Sequence, residues 1–220
     1  YMQNLYSLLS LHCLDFALLS KHCKDKIRKE LILKSDTYHH GNLKEELVEK
    51  GLAYIDQYGL EALSMRKLAD STGVSPAAPY AHFKNKEAFL SEIRNYVNNR
   101  FYSTLVKATE DCSDPSRILF NLGKSYILFF YENPLYYRFL FSIENIDIEN
   151  YSPFVLFKNT AEKVWKEESE NRDGTSILHS KVIALWSLVH GLSCIVNMKG
   201  AVDTDHLEAE VEQILSSIHV

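Results

Sequence analysis

Residues 64–90 read SMRKLADSTGVSPAAPYAHFKNKEAFL, and the order of caps, glycine and prolines in this stretch decides the fold. Ser64 stands before a short helical run, Met65 to Ser71, where its hydroxyl can accept a bond from an unpaired N–H of the first turn. Gly73 ends that run, and Thr72-Gly73-Val74 forms a natural tight turn because glycine takes a left-handed conformation at little cost. Ser75-Pro76 predicts the start of the next helix, with a cap and a proline whose missing N–H would have been unpaired anyway. Two short helices joined by a glycine-containing three-residue turn make a helix-turn-helix. Pro79 removes a further hydrogen bond near the start of the second helix, where the loss is smaller than in an interior. Asn85 is expected to cap a longer helix running from Lys86 to about Ala108.

Upstream, Leu43, Leu47, Gly51, Leu52 and Ile55 recur at one-face helical spacing and predict a helix ending near Gly59. Downstream, helical periodicity covers about 115–132, 134–142, 152–170, 176–198 and 204–218, with Asp114-Pro115 and Asn133-Pro134 reading as cap plus proline starts. Gly174 and Gly200 read as interruptions or stops, and nothing alternates polar and apolar long enough for a sheet. The fold class is therefore all-α, with nine or ten helices. Residues 1–37 are expected to form an N-terminal extension, 38–85 a helix-turn-helix domain, and 86–220 a helical ligand-binding and dimerisation domain. Within the extension, a leucine-rich stretch precedes a basic run from Lys21 to Lys29. That order is wrong for a signal peptide, and Asp15, His12, Gln3 and Asn4 make a poor membrane span, so an amphipathic helix is expected and no membrane partner. A tag or start-site artefact also stays open, because Tyr1 precedes Met2.

The chain has 220 residues, 46% hydrophobic and 24% charged, with 8 Gly and 5 Pro, which excludes disordered, collagenous and low-complexity classes. Its four cysteines, Cys13, Cys23, Cys112 and Cys194, show no CxxC pair and no metal-ligand spacing, so neither a disulfide scaffold nor a structural metal is expected, and a cytoplasmic setting fits. Net charge is −5, but residues 1–100 carry 14 basic against 12 acidic residues and residues 101–220 carry 10 against 17. That division suits a small DNA-binding module on a larger ligand-binding or partner-binding body.

In residues 73–90 the chain resembles the TetR/AcrR family of bacterial transcription regulators. Gly73-Val74-Ser75, Tyr80, His82-Phe83, Lys84, Asn85-Lys86-Glu87 and Leu90 fall in the family's register, preceded by Met65-Arg66-Lys67-Leu68-Ala69. The lead-in His39-His40-Gly41-Asn42-Leu43 is similar to one branch, whose C-terminal domain carries a Trp-x-x-x-His-Gly signature, matched here by Trp186, His190 and Gly191. The strong likeness covers about residues 38–90, and residues 1–37 lie outside it. The resemblance implies a repressor that binds a palindromic double-stranded DNA operator as a homodimer and is released by a small apolar effector.

The residue types suit that chemistry independently. A recognition helix deep in the major groove needs small leading side chains, and Ala77 and Ala78 can approach bases and touch thymine methyls. Tyr80, His82, Lys84 and Lys86 can reach phosphate oxygens, as can Ser64 and Ser75, while Arg66 can take a guanine edge or a phosphate. Val74, Phe83 and Leu68 are expected in the core. Aromatic residues crowd the body, including Tyr126, Phe130 and Tyr137, and most should be core. With His179, Trp186 and His190, which share a helix face by spacing, they also make candidate effector contacts. Ile183, Val189, Leu192, Ile195 and Val196, with Leu207, Val211, Ile214, Leu215 and Ile218, give two final helices apolar faces suited to a four-helix dimer interface. The chain lacks a Gly-rich phosphate loop, HExxH and GxSxG, so no catalytic residues, metal or cofactor are expected. The competing class is a helical ligand-binding or interaction protein with secondary or lost DNA binding, for which Glu45, Glu46 and Glu49 on the first helix speak.

Overall fold

The computed structural model describes residues 43–141, 147–165, 174–198, 200–203 and 205–217. The expectations for residues 1–37, for the lead-in 39–42 and for Ile218 lie outside these. Among the described residues there are eight α-helices and no strands: α1 (Leu43–Tyr58), α2 (Met65–Thr72), α3 (Lys86–Glu110), α4 (Ile118–Glu132), α5 (Pro134–Phe141), α6 (Ser152–Val164), α7 (Gly174–Ile195) and α8 (Leu207–Ser217). The all-α class follows, with a helix-turn-helix unit first in the sequence and a helical unit after it. Described residues up to Asn99 form one compact unit and those from Arg100 onward form another. The first half of α3 therefore folds with the helix-turn-helix.

Leu47, Val48, Leu52 and Ile55 of α1, Leu68 and Ala69 of α2, and Phe83, Phe89, Ile93 and Val97 are buried as the core of the first unit. Phe83 and Phe89 meet edge to face with ring centroids 5.0 Å apart. Gly51 lets α1 approach Phe89 closely, because a Cβ there would run into the Phe89 ring. At the surface, Lys44 pairs with Glu92 at 2.6 Å and the Tyr96 hydroxyl donates to Glu49 at 2.9 Å, two ties between α1 and α3.

In the second unit α7 packs on α4 and α6, and α8 packs on α4. Phe101, Leu122, Tyr126, Ile127, Phe130, Phe154, Phe157, Val182 and Val189 form its core. Asp114 caps a short 3-10 turn, accepting from the backbone N–H of Ser116 at 2.9 Å. Asn133 behaves otherwise than expected. Its side chain donates backward to the Phe129 carbonyl at 2.8 Å, finishing α4 rather than capping α5. Gly174 begins α7 instead of interrupting it, while Gly200 sits in a turn at positive φ. Helix α7 is long and apolar enough, by length and composition, to cross a membrane.

Four of the residues expected to form a four-helix interface on α7 and α8 need correction. Val189, Val196, Leu207 and Val211 are buried within the protomer and cannot meet a partner. Ile183, Leu192, Ile214 and Leu215 are half-buried, and Ile195 and Met198 are exposed at 44% and 41%. An apolar stripe on two adjacent helices does not say which part faces the rest of the body, and α4 takes most of this one.

Gly51→Ala should lower stability by about 1–3 kcal/mol through overpacking against Phe89. The urea midpoint reads this directly, and an unchanged midpoint would mean that the helices part at no cost.

Candidate functional site

The turn between α2 and the segment that follows is set by local bonds. The Ser64 hydroxyl accepts from Lys67 N–H at 3.2 Å and starts α2. Gly73 adopts φ +74°, its N–H reaches Asp70 O at 3.3 Å, and Val74 N–H reaches Ala69 O at 3.1 Å. That pair of bonds is the Schellman closure, which uses up the last carbonyls and turns the chain sharply. Val74, expected in the core, is only half-buried.

The next segment is not the capped α-helix expected from Ser75-Pro76. It is a 3-10 stretch, Ala78–Ala81, in which the Ser75 side chain makes no cap. Ala78 N–H takes the Ser75 carbonyl at 2.9 Å, the acceptor that residue 79 would use in an α-helix. Residue 79 is proline and has no N–H to offer, so the tighter i to i+3 pattern wins. Pro79 is buried, and its carbonyl receives His82 N–H at 3.1 Å and Phe83 N–H at 2.9 Å, which anchors the stretch on the core. Asn85 then caps α3, accepting from Ala88 N–H at 2.8 Å.

Of the proposed DNA-contacting residues, Ser64, Arg66, Ser75, Ala77, Tyr80, His82 and Lys84 are exposed, Tyr80 at 56%, and Ala78 is half-buried. Lys86 differs from its neighbours: its Nζ donates to the Leu60 carbonyl at 3.2 Å and it is half-buried. Lys84 is thus the more exposed cation. Residues 64–86 contain Arg66, Lys67, Lys84 and Lys86 against one acidic residue, Asp70, in a chain of net charge −5. Arg66 and Lys67 stand in the first turn of α2 with no acidic residue there, against the helix dipole. An external anion is what such an arrangement suits.

The second cluster lies in the second unit. His190 of α7 is bonded at both ring nitrogens: Nδ1 to the Tyr126 hydroxyl at 2.9 Å and Nε2 to the Tyr137 hydroxyl at 2.6 Å. The Cys194 thiol, one turn on, donates to the Tyr137 oxygen at 2.9 Å. Around these polar ends stand aromatic rings. Trp186 meets Tyr126, Phe154 and Phe157 edge to face at 5.1, 5.5 and 5.2 Å, and Phe141 lies 4.5 Å from the imidazole. Phe130 packs on Tyr126 and Tyr137. Burial holds the His190 pKa down to about 4, and burial raises the Tyr126 and Tyr151 hydroxyls well above their ordinary range.

Tyr126, Phe130, Tyr137, Trp186 and His190 therefore come together. His179 does not join them. It is exposed, because two turns before Trp186 the face it shares by spacing has rotated out of the packed side. Tyr151, Phe141 and Cys194 were missed. Tyr151 and Phe141 lie outside α7, and Cys194 is at i+4 from His190, a spacing that could have flagged it. Among the described residues no group of three or more His, Cys, Asp or Glu could hold a metal ion.

Residues 44–93 match the profile of the bacterial regulatory proteins of the tetR family. No curated protein matches by sequence. Among solved structures, a protein of unknown function from Rhodococcus sp. RHA1 is 20% identical with a TM-score of 0.64, covering 82% of this chain and 97% of its own. A bacterial regulatory protein in the tetR family from Rhodococcus RHA1 is 18% identical with a TM-score of 0.55, covering 78% and 94%. AibR, solved in complex with isovaleryl coenzyme A and operator DNA, is 16% identical with a TM-score of 0.54, covering 80% and 97%. These likenesses are of fold.

Since its folded-state pKa is depressed, His190 stays neutral in the folded chain while the unfolded chain protonates near pH 6.5. Stability from this group is full above about pH 6.5 and falls as pH drops toward 4. Between pH 7.5 and 4.5 the wild type should lose about 2 kcal/mol more than His190→Gln, read from urea midpoints at both pH values. Equal losses would show that the imidazole titrates as if in water.

Proposed function

We propose that this chain is a ligand-responsive transcription regulator of the TetR type, acting as a repressor that binds a palindromic operator as a homodimer in the cytoplasm. The observation that carries the reading is the exposed basic segment 64–86, closed by the Gly73 turn, within the stretch that matches the tetR-family profile. Ala77 and Ala78 face bases, Arg66 takes a guanine edge or a phosphate, and Ser64, Ser75, Tyr80, His82 and Lys84 hold the backbone. Lys86 braces Leu60 first and contributes charge second. The alternative of lost DNA binding would be favoured by an acidified recognition segment, but the acidic Glu45, Glu46 and Glu49 all belong to α1 and only Asp70 falls within 64–86.

The effector site is assigned to Tyr126, Phe130, Tyr137, Trp186 and His190, an apolar shell with a few convergent polar groups. AibR, solved with an acyl thioester and DNA together, makes a fold of this kind compatible with both partners. Binding there would act by shifting α3, which runs unbroken from Lys86 to Glu110. The ligand can release DNA only through its differential affinity for the two states.

For the dimer, the exposed side of α7 provides the face. Ala184, Ser187, Gly191, Ile195 and Met198 follow at helical spacing, all exposed except Gly191, which is half-buried. A Cβ at Gly191 would meet nothing within 4 Å inside the protomer, yet glycine in a helix interior costs about 1 kcal/mol relative to alanine. Close approach by the same helix of a second copy accounts for the residue.

Selection against genomic fragments at varied salt should return inverted repeats whose half-sites sit about 34–36 Å apart or an adjusted version of that spacing. Return of no sequence above background would sink the regulator reading. Lys84→Ala should weaken operator and random DNA alike and reduce the salt slope by about one ion per protomer. A change of base preference with the slope intact would reassign Lys84 from phosphate to base. Ile195→Asp should leave the protomer folded but sediment as a monomer at micromolar concentration, and a persistent dimer would place the interface elsewhere.

A further inference from the structure

The Tyr151 hydroxyl is buried and has no hydrogen-bond partner among the described residues. Its ring packs against Trp186 and Phe141, with centroids 6.1 and 6.2 Å away, so it belongs to the same aromatic shell as His190. With the Tyr126 and Tyr137 hydroxyls and the Cys194 thiol, Tyr151 brings the O–H and S–H groups of this shell to four. Three of them are engaged with one another or with the imidazole. Tyr151 is left over.

Leaving a buried hydroxyl unsatisfied destabilises a protein, whereas phenylalanine of the same shape does not. A tyrosine retained at such a place suits an oxygen that arrives from outside. The charge of that oxygen's owner is also constrained. Among the described residues the ring shell holds no ionised side chain to pair with a carboxylate or an ammonium, and burial keeps His190 neutral. A charged ligand would enter unpaired, which is costly. A hydrocarbon without oxygen would fit the rings but leave the hydroxyl as it was.

Resting on the effector-site reading above, we propose that this site takes an uncharged ligand, apolar or aromatic in bulk, whose carbonyl-type oxygen accepts a hydrogen bond from Tyr151. Trp186, Phe141 and Phe154 supply the apolar contact, and the Tyr126, His190 and Tyr137 chain supplies a second polar wall.

The test uses the full chain, wild type and Tyr151→Phe, with four probes of similar size: acetophenone, ethylbenzene, benzoate and benzylammonium. Binding is followed by tryptophan fluorescence and calorimetry at neutral pH. Acetophenone should bind the wild type best and lose about fivefold to tenfold in affinity on Tyr151→Phe, the value of one neutral hydrogen bond. Ethylbenzene should bind both proteins equally, and the two ions should bind neither at the same concentrations. Without ligand, Tyr151→Phe should melt no lower than the wild type. The proposal is overturned if an ion binds as well as acetophenone, if Tyr151→Phe leaves acetophenone affinity unchanged, or if no probe binds. A lower melting point in the unliganded variant overturns it too, because the hydroxyl would then be satisfied by a structural water. If acetophenone binds through Tyr151 while operator affinity stays the same with and without it, this inference stands and the ligand-responsive part of the proposed function fails.

Discussion

A buried imidazole must satisfy two different nitrogens at once, and His190 organises the unit in which it lies. Neutral histidine has one donor and one acceptor, and which nitrogen is which depends on the tautomer. A hydroxyl can answer either, so tyrosine on both sides is a solution that works for both tautomers. Tyr126 comes from α4 and Tyr137 from α5, and their hydrogen bonds fix the register of these helices against α7. The aromatic residues around them follow from the same constraint. Once the polar ends are paired, the remaining surface of the cluster is ring edge and ring face, which other rings cover well.

The consequence is an interior that is polar at a point and uncharged throughout its described shell. Burial alone is enough to keep the imidazole from protonating near neutral pH. Charge is paired elsewhere in the unit: Lys124 bridges Glu208 and Glu212 at 2.7 and 2.6 Å, tying α4 to α8 at a half-exposed position. Being partly solvated, that pair of contacts orients α8 more than it stabilises it. Specificity for a ligand in such an interior comes from shape and from the direction of single hydrogen bonds.

The helix-turn-helix unit obeys a different economy of forces. It is small, and its core closes only because α3 lends Phe89, Ile93 and Val97 to it. Its surface carries features that stability does not ask for, such as Arg66 in the first turn of α2, against the helix dipole, and an exposed Tyr80. Local departures from the stabilising rule at one surface, in a unit otherwise built to rule, mark the surface that meets something else.

The features legible in the sequence were those made by neighbours in the chain. Ser64, Gly73, Asn85 and Asp114 cap or turn through bonds spanning two to five residues, so their roles and most helix ends follow from residue type and spacing. The 3-10 form of 78–81 was within reach, since Pro79 denies the α-helical bond to Ser75 on local grounds alone. Other features depend on partners far along the chain. Lys86 turns to a carbonyl 26 residues away, His179 rotates out of the packed face, and Val189, Val196, Leu207 and Val211 go inward. Tyr151 becomes a candidate only when Trp186 and Phe141 close over it. Hydrophobic spacing identifies a stripe that must be covered, but burial is non-directional, and only the packed helices decide what covers it.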